Sequence, residues 1–396
     1  MGHRAALAAT VAAAMAISIG TPDPAAQGAG PPTVAQSAKV GLTGGAHVAR
    51  AYDVIMDAQF SEMPSRLSET CPPAPKEVCQ LLAVVATWWQ IQLDPHNRSR
   101  DEAFQKQADL VIDVMEQWTK REPTRAEAWF YLGGSIGARA QWRVLRGQTL
   151  AAARDGKRLK NALERALTLD PAIQDAYFGI GLYHYYAAVA PAAARMMRWL
   201  LLLPGGNREQ GLREMLSGRS GGQLLRSEAD YQLHLVYLWY EKQTPRALEL
   251  LSALAARHPH NPHFPQQIAE IEDRYQEHHA ASLRSWQTLL ERAGAGQMAD
   301  QEMAIARAQL GAALELYHLG QFDAAIPHLR AVIEGRPRAP VGAEAVAQLQ
   351  LGYIYDRLAR RDQAIAAYRA ALAVNPSGDP LKLESKARAG LRAPLR

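Results

Sequence analysis

Residues 348–376 read QLQLGYIYDRLARRDQAIAAYRAALAVNP. Leu351, Gly352 and Tyr355 share one face of a predicted helix. Ala364, Tyr368 and Ala371 follow at i, i+4 and i+7 on one face of the next. Gly352 and Ala364 are small where two antiparallel helices must come close. Pro376 has no amide hydrogen with which to continue the second helix, and it ends there. The stretch predicts a helical hairpin. A lone hairpin cannot bury its own apolar stripe, so the rest of the chain must supply neighbours for it.

The same spacing resembles the tetratricopeptide repeat: an aromatic, a Leu-Gly pair, an aromatic, then Ala, aromatic, Ala and Pro over about 34 residues. It matches here at Leu351, Gly352, Tyr355, Ala364, Tyr368, Ala371 and Pro376. The resemblance implies a stack of helical hairpins that binds other proteins. Ala313, Gly320, Phe322, Ala325, Leu329 and Pro337 mark the preceding repeat. Tyr231, Ala247, Leu251 and Pro259 mark another, with Leu235 and Leu254 standing where small residues are expected. Its helices should therefore pack less closely.

Weaker hairpins fill the remainder. Val48, Tyr52, Ile55, Met56 and Phe60 form one stripe, and Val78, Leu81, Leu82, Val85, Trp88 and Leu93 the next. Phe104, Ala108, Val111, Ile112 and Met115 lead to a break at Pro123. Trp129, Leu132, Gly133 and Ile136 pair with Leu163, Ala166 and Pro171, and the extra segment Arg143–Arg158 lengthens both helices. Tyr177, Ile180, Gly181 and His184 open a repeat that departs into an insertion at about 188–222. There Pro204-Gly205-Gly206 ends an apolar run and a short helix follows at roughly Arg208–Leu216. Ile268, Ile271, Tyr275, Leu283, Trp286 and Leu290 outline a further hairpin. In the insertion, Gly206, Asn207, Arg208, Glu209, Gly211 and Leu212 resemble a turn of the eukaryotic inclusion-body-clearance family of tetratricopeptide-repeat proteins and their bacterial relatives. No segment alternates with strand period. The expected fold is an all-α, right-handed α-solenoid of about seven tetratricopeptide-like hairpins over residues 45–376, with 377–396 as a basic capping helix or tail.

The chain has 396 residues and is 48% hydrophobic, too long for one compact core unless the fold is a solenoid. Of its net charge of +5, the last twenty residues contribute most, with Lys382, Lys386, Arg388, Arg392 and Arg396 against Asp379 and Glu384. The body is nearly neutral, which argues against a nucleic-acid partner. His3 and Arg4 precede the apolar run Ala5–Ile19 and small residues around Ala25–Gly30. This pattern predicts a signal peptide over 1–30, a flexible lead-in over 31–44, and a periplasmic or secreted protein. No transmembrane helix is expected in the mature chain. The two cysteines, Cys71 and Cys79, are expected to form a disulfide at a hairpin turn, since two thiols without a third ligand make no zinc site.

Several residues invite chemistry. His258, His260, His263, His278 and His279 cluster in sequence, but no carboxylate-rich companion suggests a coordination geometry, so they read as turn residues ahead of a metal site. No cofactor is expected. The tryptophans fall at repeat-face spacings and read as core. Asn207 reads as a helix cap ahead of an anion site with Arg208. G-x-S-x-G occurs at Gly133–Gly137 and Gly218–Gly222 without a preceding strand, so Ser135 is placed inside a helix, Ser220 in a turn, and neither acts as a nucleophile. The expected function is non-enzymatic: a scaffold docking a protein or peptide on its concave face, with Arg139, Arg143, Tyr183, Tyr186, Met196, Trp199 and Tyr240 as contact residues. The alternative is a ligand- or membrane-surface-binding protein that uses the Leu-rich stretch Met196–Leu203.

Overall fold

The computed structural model describes residues 41–189 and 205–394. The expected signal peptide, most of the lead-in, and the Met196–Leu203 stretch with Met196 and Trp199 lie outside the described residues. No strand occurs among the described residues, and the all-α class holds.

Two compact units are formed where the sequence suggested one run of repeats. Of the described residues, unit one takes those up to Ile55, then Phe60–Trp89 and those within Asp101–Lys242; unit two takes Met56–Gln59, Gln90–Arg100 and those from Gln243 onward. The boundary at Lys242 divides the repeat read at Tyr231–Pro259, the one with leucines at its close-approach positions.

Unit one holds α1 (Gly45–Met56), α2 (Met63–Thr70), α3 (Lys76–Leu93), α4 (Asp101–Arg121), α5 (Ala126–Leu145), α6 (Thr149–Leu169), α7 (Asp175–Val189), α8 (Arg208–Gly221) and α9 (Arg226–Trp239), apart from the ends of α1 and α3. Consecutive helices from α4 to α9 pack on one another. Aromatic rings link the early ones: Trp88 to Phe104 at 6.1 Å, Phe104 to Trp142 at 5.6 Å, and Trp89 to Tyr231 at 5.1 Å between centroids. Helices α5 and α6 run 20 and 21 residues, as the surplus around Arg143–Arg158 implied. Asp175 at the start of α7 accepts the amides of Gln223, Leu224 and Leu225 at 2.7, 3.0 and 2.8 Å, which fixes the approach to α9.

Three local readings are corrected. Phe60 does not continue α1, because Ala58 takes a left-handed φ of 59° and a short 3-10 turn follows at Phe60–Glu62. Helix α8 runs on to Gly221 instead of ending near Leu216. Its glycines let it lie against α7 backbone to backbone: a Cβ on Gly211 would be 2.5 Å from the Tyr185 nitrogen, and one on Gly218 2.5 Å from that of Phe178. Ser220 therefore lies in the last turn of a helix, not in a loop.

Unit two holds α10 (Thr244–Arg257), α11 (His263–Arg274), α12 (His279–Gly294), α13 (Gln301–His318), α14 (Phe322–Gly335), α15 (Ala343–Arg357), α16 (Arg361–Ala373) and α17 (Leu383–Arg392). Each packs on the next, and α11, α13, α15 and α17 also touch in series. The first helices of successive hairpins thus form one row. Glycines let rings come close to helix backbones: Gly311 lies on the Trp286 ring, and the Tyr368 ring sits between Gly352, a small position of the repeat pattern, and Gly390. A Cβ at any of these glycines would overlap the ring. The early segments of unit two are held by polar contacts. The Asn261 amide donates to the Met56 carbonyl at 2.6 Å, and Asp57 and Asp94 accept the amides of His260 and Val341, each at 2.9 Å.

Candidate functional site

The expected contact residues of unit one are turned inward. Arg139 and Arg143 are one turn apart on α5 and face Asp155 on α6. Arg139 grips this carboxylate with two nitrogens at 2.9 and 2.6 Å and reaches Asp109 of α4 at 2.6 Å. Arg143 adds a bond to Asp155 at 2.7 Å. Asp155 has a side-chain exposure of 1% and Arg139 one of 8%. Burial alone would lower the Arg139 guanidinium, but the bonds it donates to Asp155 and Asp109 hold it above its ordinary value. These arginines tie three helices together, and Arg139 is corrected from a docking residue to a structural one.

Tyr183 and Tyr186 are likewise buried, at 1% and 4%, and are removed from the docking face. Tyr186 packs edge-on against Tyr185 and Tyr240, both at 5.8 Å, and burial raises its hydroxyl well above the ordinary value. Tyr240 is half-buried in the same group. The Tyr185 hydroxyl donates to Glu241, which also takes both ends of the Arg208 guanidinium. Arg208 is thereby committed to a carboxylate. Asn207 caps α8 by accepting the Gln210 amide at 2.9 Å. The Ser135 hydroxyl donates to the Leu132 carbonyl at 2.8 Å, and that of Ser220 to the Leu216 carbonyl at 3.0 Å. Each is a helix residue bonded to its own preceding turn, without the strained strand-to-helix elbow a serine nucleophile needs.

Cys71, just after α2, and Cys79, in the first turns of α3, are paired, with Cα atoms 6.2 Å apart. The histidines do not act as a group. His258 and His263 are buried beside Phe264, each with centroids 6.1 Å from its ring. His260 meets Asp57 at 2.6 Å, and His278 precedes α12 as an exposed residue.

Of the five, His279 belongs to a group of four potential metal-ligating side chains among the described residues. Its Nδ1 lies 3.1 Å from Asp273 Oδ1 and 3.0 Å from Glu315 Oε2. His318 Nδ1 lies 3.5 and 3.6 Å from the same two oxygens. Burial and the neighbouring Glu315 charge raise the Asp273 carboxyl, and the Glu315 hydrogen bond raises His318. The carboxylate companions missing from the sequence reading are supplied by α11 and α13. Glu315 and His318 fall three residues apart at the end of α13, a spacing that puts both on one face and was visible in the sequence.

In the row of first helices, α15 keeps a half-open face at Val346, Gln350, Tyr353 and Arg357. Gln350 Oε1 is buried and has no hydrogen-bond donor among the described residues. Buried acceptors normally find a partner, so this one calls for an explanation.

A family profile described as tetratricopeptide repeat matches residues 345–377. The chain carries a tetratricopeptide repeat. The match covers α15 and α16, the helices on either side of the Gly352–Tyr368 contact. No curated protein matches in sequence. Among solved structures, the chain is similar to the "APC/C hetero-tetramer Cut9-Hcn1", with a TM-score of 0.44 and 12% identity over 87% of this chain and 53% of that one. It is also similar to "NprR in complex with its cognate peptide NprX", with a TM-score of 0.39 and 9% identity over 87% of this chain and 82% of that one. The chain spans about half the length of the Cut9-Hcn1 chain. Among the described residues, no helix is long and apolar enough to cross a membrane.

Proposed function

We propose that the protein is a non-enzymatic interaction scaffold that docks a partner protein or peptide on the row of first helices in unit two. The observation that carries this is the tetratricopeptide repeat at 345–377, continuous with the row α11, α13, α15 and α17. A stacked row of helices offers an extended surface whose side chains are held by the hairpins behind it. Gln350 lies with Val346, Tyr353 and Arg357 on the half-open face of α15, where a substitution would alter the surface offered to a partner. Export is part of the proposal. It rests on the Ala5–Ile19 run behind a basic start, and the pairing of Cys71 with Cys79 suits an oxidising compartment.

The test is in-cell crosslinking in the native host, followed by purification and mass spectrometry, with the natural sequence beside Gln350→Arg. One reproducible partner in near-equal amount, lost in Gln350→Arg while the variant keeps its helical circular dichroism, is the expected result. A catch identical to that of an empty-tag control, or a partner indifferent to Gln350→Arg, overturns docking on α15.

A further inference from the structure

We propose that Asp273, His279, Glu315 and His318 bind one divalent transition-metal ion of the zinc class, which clasps three successive helices of unit two. Asp273 is in the last turn of α11, His279 is the first residue of α12, and Glu315 and His318 are in the last turn of α13. One oxygen from each carboxylate and one nitrogen from each imidazole lie within 4.8 Å of one another.

The geometry is that of a small coordination sphere. Zinc bonds imidazole nitrogen and carboxylate oxygen at ~2.0–2.2 Å, so neighbouring ligands on a tetrahedron stand ~3.3–3.6 Å apart. The four nitrogen-to-oxygen edges here are 3.0, 3.1, 3.5 and 3.6 Å. Ordinary histidine–carboxylate pairing does not ask for this arrangement. Each Nδ1 carries at most one proton and can donate it to one oxygen, yet each faces two. A cation at the centre satisfies all four atoms at once.

Charge points the same way. Glu315 has a side-chain exposure of 1% and Asp273 one of 12%. Two largely buried carboxylates face each other here, with the two imidazoles set between them. The remaining charged group acting on Asp273 is Arg274, which also lies 3.9 Å from Glu270. A divalent ion cancels both charges where they arise. The mixed nitrogen and oxygen donors favour zinc and its neighbours over magnesium or calcium, which take oxygen ligands. Both imidazoles are 31% exposed, so the ion enters from solvent. Four protein ligands leave no open position, the mark of a structural site. The turn is already set for it: Glu277 adopts a φ of 55°, and the His278 amide donates to the Glu272 carbonyl at 2.9 Å.

The test uses the full chain without a polyhistidine tag, stripped with chelator. Zinc chloride is titrated by calorimetry, with magnesium chloride as the contrasting probe, and thermal unfolding is followed with and without zinc. The expected result is one zinc per chain, a raised Tm, and no heat from magnesium. Losing an outer-shell partner alone weakens metal binding ~10–100-fold, so His318→Ala and His279→Ala should each cost about 100-fold or more. His318 is exposed at the end of its helix, so His318→Ala should keep the helical circular dichroism of the natural sequence. His260→Ala, at the Asp57 pair, should bind as the natural sequence does. Cobalt(II) gives a second readout, since tetrahedral coordination produces intense visible bands that His318→Ala should abolish. Absence of zinc uptake, uptake unchanged in both ligand variants, or uptake lost in His260→Ala overturns the proposal.

Discussion

Glu228 shows how much one buried acid can impose. It lies in the first turn of α9 and accepts from the Tyr52 hydroxyl at 3.1 Å and the Gln232 amide at 3.0 Å. Burial raises its carboxyl above the ordinary value of 4.5, and the hydrogen bonds only partly offset this. Its folded-state value being raised, the stability it contributes is complete below about 4.5 and is lost as pH rises through the raised value. Glu228→Gln removes that loss. Between about pH 5 and about pH 8 the Tm difference between variant and natural sequence should move in the variant's favour. A difference that stays constant across the range would refute the assignment. Nothing in the sequence marked this residue. A spacing pattern tells which side of a helix is apolar, and it does not tell which acid the next helix covers. Arg139 failed for the same reason: its face was readable, but Asp155 opposite it was not. In the histidine group, His279 was legible and the Glu315–His318 spacing was there to be read, but helix packing alone brings Asp273 and His279 to that pair.

At the scale of elements, the hairpins were largely legible. Their apolar stripes recur every three to four residues, and Gly, Pro and Ala stand at fixed offsets. The tetratricopeptide repeat at 345–377 was read from the residues that now pack Gly352 on Tyr368. Less legible was α8, whose glycines read as a turn but serve as a contact surface for α7. Gly211→Val should show this. The added Cβ would meet the Tyr185 nitrogen at 2.5 Å and the Gly181 carbonyl at 2.7 Å, and backbone cannot give way as a side chain can. Overpacking costs about 1–3 kcal/mol in ordinary cores, and this site should reach the upper end. Gly294→Ala, with nothing within 4 Å, is the control and should be neutral or slightly stabilising. Equal urea midpoints for the two variants would show that α7 and α8 do not meet as described.

At the scale of the molecule, neither unit is one continuous stretch of chain. Unit two borrows Met56–Gln59 and Gln90–Arg100 from the N-terminal half, and through them Asp57 and Asp94 hold the amides of His260 and Val341. A fragment spanning Gln243–Arg396 lacks both carboxylates. Its amides at His260 and Val341 should exchange with deuterium faster than in the full chain, while those inside α15 and α16 keep their protection. Uniform exchange in fragment and full chain would mean that the borrowed segments contribute nothing. The same arrangement sets a timetable for synthesis. Asp57 and Asp94 leave the ribosome before any of the later residues they bind. At ~5–20 residues per second, the stretch between Arg100 and Gln243 alone takes roughly 7–30 s to translate. Through that interval unit one can close around its own helices, while two carboxylates wait in water for partners not yet made.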